Sequence, residues 1–509
     1  MSTDPIWLAR ITWAGRDWWV SSAPVATTID GAAVESDGYL RVSYAERLPR
    51  LSLDGPDLGA SLDVDHDTAD WVALRAAGHR WASATGALYL LPTPTSTPQA
   101  LVSGRIESVE YGDPDAPAGR LRCELRAARA VDTARLLPEG AALTVDRFPE
   151  LADSTLSSVA GRTPPLIIGR PGLVGGVPVA VAPAYPVEWS LGPVADRLIL
   201  ACHTLAESEV WLTDGGGDWR LVTVETFTDD LGRRWPSVDA TTIDSGPTPH
   251  LDRAIGTEWW WACSSATGPG SLPLSSVRPG LGSVALAVLQ RSALPVDYER
   301  MAPAVDALDQ IEVGAVVQDA DASPLDIAQE LLALAPCTLA RSATGLYVVP
   351  HQPPVRAADC AHRWVDVVDV SRVGAVEVEL VRPPRQIEVR WGPSHGEGGA
   401  ATRRIVLGSD SPTVGLDLDP DGEVVAIDAP YVWDEASAWQ VALLAAQARP
   451  TEREVVQVEL PAAMHAVSLG QWAALDSIAL DRELVGQIVA RSWRDGAWLV
   501  TLAVDDLAR

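Results

Sequence analysis

The chain contains no lysine and no asparagine, so all 39 of its basic residues are arginine. Without lysine there can be no P-loop lysine, no Schiff-base lysine and no Ser-Lys dyad, and without asparagine there is no N-glycosylation acceptor. Phenylalanine occurs only at Phe148 and Phe227, whereas tryptophan occurs 20 times. The missing residues have A/T-rich codons, which indicates a GC-rich genome rather than selection for a particular chemistry.

Long apolar runs and cysteine clusters are absent as well. No stretch reaches the roughly 20 apolar residues that cross a bilayer, and the first residues, which include Asp4, contain no run long enough for a signal peptide. The cysteines are odd in number and far apart, which favours neither a disulfide framework nor a zinc site. They are Cys123, Cys202, Cys263, Cys337 and Cys360. We expect a protein made in the cytoplasm, without a membrane span and without a cofactor.

Positive charge is scarce, because the formal net charge is −29. Such a chain is poorly suited to binding the phosphates of nucleic acid, so we expect no specific nucleic-acid binding. An acidic surface is compatible with a role in solubility alone, and also with a wall past which DNA slides without binding. The length of 509 residues predicts three or four domains, and a hydrophobic content of 47% excludes general disorder.

Strand patterns dominate the chain. Apolar and polar residues alternate around Val376–Leu380, Ile387–Trp391 and Val456–Leu460, which is typical of strands with one buried face. The 40 glycines and 39 prolines are spread as turn residues rather than as a repeat. The fold class that this predicts is mainly β, as sandwich or barrel domains, with small α+β insert domains.

Two helices are predicted with their caps. Ser323 is the expected N-cap of the first, with Pro324 at the first helical position, and a hairpin that turns near Gly345 follows. The second is expected to begin after Asp434 and to end before Pro450.

Two hairpins have similar sequences. Gly104-Arg-Ile106 opens one and Gly486-Gln-Ile488 opens the other, and each leads to an alternating strand. The similarity indicates either two related domains or the general likeness of hairpins.

Catalytic motifs are absent: there is no HExxH, GxSxG, Walker A or GxGxxG in a βαβ context. His66 lies among four aspartates, but an EF-hand register starting at Asp63 fails at its glycine and at its last carboxylate. The segment from Asp417 to Asp428 fits that register better, yet a hairpin turn explains it as well, so calcium binding there stays open. We therefore predict no catalytic, cofactor or metal residues.

The tryptophans allow a carbohydrate-binding interpretation, because flat aromatic faces stack on sugars. However, neighbours in a strand face opposite sides, so Trp18-Trp19 and Trp259-Trp-Trp261 cannot each form one platform. Core filling in place of phenylalanine is the preferred interpretation.

Several segments form a pattern along the chain: the run from Pro165 to Gly172, the Val-Pro turn at Pro178, the strand from Val210 to Asp214, the helix and hairpin from Ser323 to Val349, and the order of helix and strands after Asp434. In this pattern the chain resembles the tail hub, or tail tip, proteins of long-tailed bacteriophages and gene transfer agents. The resemblance covers most of the chain after about residue 100 and carries over no catalytic residue.

The resemblance implies a structural, non-enzymatic virion protein that is assembled in the host cytoplasm and located at the tail tip. It implies a homotrimer in which each subunit supplies two tube-like β domains, with the Gly104 and Gly486 hairpins on the inner wall of a DNA channel. The implied partners are the distal tail protein, the tape measure protein and a central fibre or receptor-binding tail protein. A carbohydrate-binding adhesin and a glycan-degrading tail enzyme are the alternatives.

Four domains are expected on this basis. They are a tube-like β domain over 1–162, a β-rich domain over 163–320, a small α+β domain over 321–384 and a second tube-like domain with one helix over 385–509.

Overall fold

The structure is a computed structural model of the chain. It describes residues 5–48, 57–65, 71, 73, 76–111, 120–127, 134–153, 156–169, 171–174, 177–178, 181–189, 195–205, 208–214, 218–241, 259–263, 280–319, 321–342, 344–354, 356–366, 368–380, 383–393, 401–408, 418–448 and 452–504.

Strands form most of the regular structure, and those of the first half are β1 (Ile6–Trp13), β2 (Arg16–Ser21), β3 (Val25–Ile29), β4 (Ala32–Ser36), β5 (Leu40–Arg47), β6 (Asp57–Asp65), β7 (Thr85–Leu91), β8 (Gln99–Tyr111), β9 (Arg120–Ala127), β10 (Leu166–Gly169), β11 (Leu173–Val174), β12 (Val177–Pro178), β13 (Ala182–Trp189), β14 (Ala195–Ile199), β15 (Glu209–Thr213), β16 (Arg220–Thr223), β17 (Glu225–Thr228) and β18 (Arg234–Asp239). Those that follow are β19 (Trp259–Cys263), β20 (Gly314–Val317), β21 (Cys337–Arg341), β22 (Leu346–Pro350), β23 (His362–Val365), β24 (Arg372–Leu380), β25 (Gln386–Pro393), β26 (Ala401–Gly408), β27 (Val424–Ala429), β28 (Glu452–Pro461), β29 (Trp472–Ser477), β30 (Arg482–Arg494) and β31 (Ala497–Val504).

The described α-helices are α1 (Leu281–Leu289), α2 (Tyr298–Leu308), α3 (Pro324–Leu332) and α4 (Glu435–Gln447), and short 3-10 helices lie at Trp81–Ser83, Pro149–Ala152 and Ala357–Asp359. The Oγ of Ser323 accepts a hydrogen bond from Asp326 N at 3.1 Å, and Asp434 Oδ1 accepts one from Ser437 N at 2.8 Å. Both predicted N-caps are therefore confirmed. None of the described helices is long and apolar enough to cross a membrane.

The largest sheet combines strands from both ends of the chain. Eleven of its strands follow the order β2-β1-β7-β8-β9-β6-β5-β30-β31-β28-β24, and β29 joins β30 at one edge and β23 at the other. Its apolar face covers a core that includes Leu62, Leu125, Val458 and Leu502, each fully buried or nearly so. The first and last predicted domains thus contribute to one continuous sheet, and the boundaries at 162, 320 and 384 stay predictions.

A second core lies under the middle of the chain. A seven-stranded sheet, in the order β16-β15-β19-β13-β14-β18-β17, covers it on one side together with helices α1, α2 and α3. The three-stranded sheet β26-β25-β27, with α4 packed on β25, belongs to the same core although its residues lie between β24 and β28 in the sequence.

The predicted hairpin after α3 connects the two cores. It consists of β21 and β22, and Gly345 at its turn has a φ of +155°, where an added Cβ would lie 2.5 Å from the Pro295 carbonyl oxygen. Successive side chains of β22 point to opposite sides, so Leu346 and Val348 pack in the middle core while Tyr347 and Val349 pack under the large sheet. The fold class predicted from the sequence, mainly β with small α+β parts, is confirmed.

Candidate functional site

The large sheet contains the same five-strand arrangement twice. In the first half of the chain β5 to β9 pair in the order β7-β8-β9-β6-β5, and near the end β24 and β28 to β31 pair in the order β29-β30-β31-β28-β24. Taken in chain order, the strands correspond one to one, and every pairing within each set is antiparallel. We call these sets the N-terminal repeat and the C-terminal repeat.

The correspondence extends to the register of individual residues. Gly104 pairs with Ala127 and Ile106 with Leu125 in one hairpin, where Gly486 pairs with Val504 and Ile488 with Leu502 in the other. Directly after each isoleucine the pairing shifts by one residue, which is a β-bulge at the same position in both repeats. Two unrelated hairpins would not share both register and bulge, so the sequence similarity around Gly104 and Gly486 reflects two structurally equivalent units.

The pairing on the other side of the long strands is also equivalent. Gly86 pairs with Gly104 in the N-terminal repeat, and Ala473 pairs with Gly486 in the C-terminal repeat. Just beyond these pairs, Ile106 N donates to the Ala84 carbonyl at 3.2 Å and Ile488 N donates to the Gln471 carbonyl at 2.9 Å. A glycine suits this position in the second repeat, because a Cβ on Gly486 would lie 3.0 Å from the Ala503 carbonyl oxygen.

The two repeats join where β5 pairs with the second half of β30. Residues 44–47 lie antiparallel to residues 490–493, and Leu48 N donates to the Val489 carbonyl at 2.8 Å. This junction makes one sheet out of two units that are far apart in sequence.

A buried ion pair lies at the centre of the junction. Arg491 Nε is 2.7 Å from Glu46 Oε2, and the two side chains are only 5% and 4% exposed. The Tyr44 hydroxyl donates to the same carboxylate at 2.8 Å, and the guanidinium also donates to the Val467 carbonyl. The guanidinium carbon lies 5.7 Å from the Tyr44 ring centroid and 5.4 Å from that of Trp498.

The electrostatics of the junction favour the charged pair. Burial by itself lowers the pKa of Arg491, but the interactions with Glu46 and Tyr44 together raise it by more, so the net pKa lies above its ordinary value. Burial also raises the pKa of Tyr44, and the nearby Glu46 charge raises it further. The tyrosine therefore stays a neutral donor, and Arg491 stays positively charged at neutral pH.

Sequence reasoning missed this pair, although its signal is present. Glu46 is the next core-facing residue of β5 after Tyr44, and the alternation of the strand predicts an apolar residue there. A charge on the apolar side of a strand indicates a partner from another part of the chain. The bulge in β30 shifts the alternation just before Arg491, so the sequence pattern does not show that Arg491 faces the same core.

The face of the large sheet turned away from its core differs between the repeats. In the N-terminal repeat the register places Arg41 opposite Asp63, Asp63 opposite Arg122 and Arg122 opposite Glu110. Arg122 also lies 3.2 Å from Glu124, so these arginines face carboxylates. The acidic surface expected from the net charge is thus a charge-balanced ladder in this repeat.

The corresponding face of the C-terminal repeat is uncharged at its centre. Its central strands β28 and β31 present Val455, Gln457, Leu499 and Thr501 there. On the outward face of the N-terminal repeat Arg105 also lies opposite Arg126, whose guanidinium is 3.3 Å from Glu107.

The other candidate residues from the sequence are not brought together. Asp417 lies outside the described residues, Asp419 Oδ1 accepts from Asp421 N at 2.9 Å within a tight turn, and Asp428 lies 3.6 Å from Arg390 Nη1. Of the aspartates around His66, Asp63 lies on β6, while His66 itself is outside the described residues. Among the described residues no group of three or more potential metal ligands occurs.

The tryptophans of β19 fill the middle core, as the sequence predicted. Trp259 is 1% exposed and Trp261 is fully buried. Trp18 packs with the large-sheet core, whereas Trp19 packs with a smaller cluster on the opposite face of β2. None of these pairs forms the single flat platform that a sugar would need.

Comparisons with known proteins find phage tail structures. No family model and no curated protein sequence matches the chain. Among solved structures, it is similar to a tail protein from Neisseria meningitidis MC58, at 8% identity and a TM-score of 0.36 over 98% of this chain and 97% of that one. It is also similar to the 43 kDa tail protein of prophage MuSo2 from Shewanella oneidensis, at 7% identity and a TM-score of 0.37 over 98% of both chains.

A third similar structure is a chain from the virion of a native gene transfer agent particle. The identity is 11% and the TM-score 0.38, over 68% of this chain and 85% of that one. These proteins are of the group that the sequence resembles, and the functional argument that follows rests on the chain's own repeats.

Proposed function

We propose that the chain is a structural hub protein of a phage tail tip, which forms a ring at the end of the tail tube. The observation that carries the proposal is the duplication of a five-strand unit with the same register and the same bulge. A chain with two equivalent units can present a ring of six units when three chains assemble. Such a ring is threefold in its chains and nearly sixfold in its sheets, which fits a part that joins a sixfold tube to a threefold tip.

The outward face of the repeats supports a role as the wall of a DNA channel. Two of its arginines in the N-terminal repeat, Arg41 and Arg122, lie opposite the acidic Asp63. Phosphate binding depends on uncompensated cationic side chains, so a charge-balanced or neutral wall holds DNA weakly. The proposed partners are the distal tail protein, the tape measure protein and a central fibre or receptor-binding protein.

The proposal assigns the chain no catalytic activity. Incubating the purified protein with host-cell polysaccharide and measuring reducing sugars is the direct test. We expect no release above that of the heat-denatured protein, and a release that saturates with substrate would overturn this part of the proposal.

The ring is tested by light scattering after size exclusion and by electron microscopy. We expect a trimer of about 162 kDa, three times the chain mass of 54.1 kDa, that appears as a ring. Antibodies against the purified chain should then label one end of isolated tail particles. A stable dimer, or labelling along the whole tube, would contradict the hub function.

A further inference from the structure

One edge of the N-terminal repeat has no strand partner among the described residues. Strand β8 is paired with β9 as far as Tyr111, but on its other side β7 covers it only as far as Arg105. No described strand pairs with residues 108–111 on that side. A strand edge of this kind presents a row of backbone donors and acceptors with which another strand can pair.

In the C-terminal repeat the equivalent edge is occupied. Strand β29 covers the first half of β30, and β5 pairs with residues 490–493, which correspond to residues 108–111 of β8. The junction between the repeats is therefore a strand of one unit lying on the exposed edge of the other.

The strand of the C-terminal repeat that corresponds to β5 lies at an edge of the large sheet. In the C-terminal repeat this strand is β24, which pairs with β28 just as β5 pairs with β6. Strand β24 ends the strand order of the sheet and has no second strand partner in the part of the chain that the structure describes. Its Val378 corresponds to Glu46 of β5 and is 54% exposed, although it lies on the side of the strand that faces the core.

We propose that β24 of one subunit pairs antiparallel with residues 108–111 of β8 in the next subunit, so that the junction inside each chain is repeated between chains. The register follows from the internal junction, where Arg491 pairs with Glu46 and Ser492 with Ala45. It places Val378 opposite Val109 and Glu377 opposite Glu110. The inference rests on the proposed hub ring, which supplies the second copy as the partner.

The chemistry of the two junctions differs in an informative way. Where the internal junction buries an ion pair, the junction between chains would bury two valines, and Val109 already packs partly against the large-sheet core. Burial of the exposed Val378 favours association, because apolar surface leaves water. On the outward face the two glutamates repel each other, and Arg122, which pairs with Glu110, offsets part of that repulsion.

The proposed contact is head-to-tail, because the two surfaces that meet are different. Such a contact either closes into a ring or continues as a filament. Within the described strands each chain offers one edge on β8 and one on β24, and in a closed ring each of these edges would pair with the other kind.

The test adds one cysteine, at either position of the outward pair, to the full chain with its five native cysteines. In the internal junction the Leu48–Val489 hydrogen bond makes the 45–492 pair non-hydrogen-bonded, and directly opposite residues are closest in such pairs. Glu110→Cys and Glu377→Cys proteins are mixed, oxidised mildly and separated on a non-reducing gel. We expect a disulfide-linked dimer in the mixture and none above background with either variant alone.

The matched control replaces Glu110→Cys by Arg105→Cys, whose position on the same strand is already covered by β7. A mixture of Arg105→Cys and Glu377→Cys should not crosslink. The double variant Glu110→Cys/Glu377→Cys should run as a covalently closed ring, which is a trimer if the hub proposal holds.

The outcomes separate this inference from the proposed function. A trimeric ring that crosslinks no better in the mixture than in the control would overturn the register and leave the hub function standing. The expected crosslink in a protein that antibodies do not find at one end of the tail would uphold the register and contradict the hub function.

Discussion

Arg491 and Glu46, although they lie 445 positions apart in the sequence, form the buried contact that joins the two repeats. Each side chain is also held by a second group, since Tyr44 donates to the carboxylate and the Val467 carbonyl accepts from the guanidinium. A buried ion pair gains little stability over a well-packed apolar pair, because both charges must lose their hydration. Its contribution is therefore expected to be the correct pairing of the two edges rather than net stability.

Removal of one member of this pair should be costly. Arg491→Val leaves the Glu46 carboxylate buried without its counter-ion, and we expect a loss of about 3–5 kcal/mol in the free energy of unfolding. The double variant Arg491→Val/Glu46→Val reproduces the two valines proposed for the junction between chains and should lie close to the wild type. Urea unfolding of the four proteins in a double-mutant cycle measures the coupling. Additive losses would show that the two side chains act independently.

The glutamates proposed to face each other between subunits should make ring formation sensitive to salt. Added salt screens the repulsion between Glu377 and Glu110, so the ring should dissociate less at higher ionic strength. Glu377→Arg should strengthen association by about 1 kcal/mol at each interface at low salt, because an opposite-charge pair replaces a like-charge pair. Sedimentation over a concentration series measures this.

Glu35→Arg is the control for the change in total charge, since Glu35 is exposed on the β3–β4 hairpin. It should leave the association unchanged. If both variants strengthen the ring equally, the effect belongs to net charge rather than to the proposed pair.

His203 should make the middle unit sensitive to acid. Its Nε2 accepts from Ile167 N at 2.9 Å, its Nδ1 lies 2.9 Å from the Thr204 carbonyl, and burial lowers its pKa to about 4 from 6.5. Between these values the unfolded chain binds a proton that the folded chain does not, so this contribution is present above pH 6.5 and is lost as the pH falls towards 4. We expect a loss of about 2 kcal/mol across that window.

The measurement is thermal unfolding of wild type and His203→Gln at several pH values. Glutamine keeps an acceptor for Ile167 N but does not titrate, so the midpoint of the variant should vary less between pH 7 and pH 4.5. Parallel pH profiles for the two proteins would mean that other groups cause the acid sensitivity.

Gly282 allows helices α1 and α2 to approach closely. A Cβ at this position would lie 2.5 Å from the Cα of Val305, where only backbone movement could make room. Gly282→Ala should therefore destabilise the middle unit by about 1–3 kcal/mol, even though alanine favours helices. Chemical unfolding monitored by tryptophan fluorescence provides the measurement.

Gly408→Ala is the comparison, because a Cβ on Gly408 would meet no atom within 4 Å. This variant should unfold at nearly the same denaturant concentration as the wild type. A neutral Gly282→Ala would mean that the two helices can separate at little cost.

Local elements followed from the sequence wherever the signal is local. The caps of α3 and α4, the β21–β22 hairpin and the alternating strands β24, β25 and β28 lie where side-chain period and turn residues predicted them. Helices α1 and α2 were missed. The first is apolar on almost every side, so no amphipathic period marks it, and the second contains Pro303.

The sequence by itself determined the mainly β character, the lack of catalytic motifs and the similarity of the hairpins at Gly104 and Gly486. Only the tertiary structure decided that these hairpins belong to equivalent repeats, that β5 lies on β30, and that Glu46 meets Arg491. The reason is physical: alternation records which face of a strand is buried, but not which strand lies beside it. Strand edges pair through backbone groups, which are the same in every residue except proline, so the sequence does not specify the partner strands of β8 and β24.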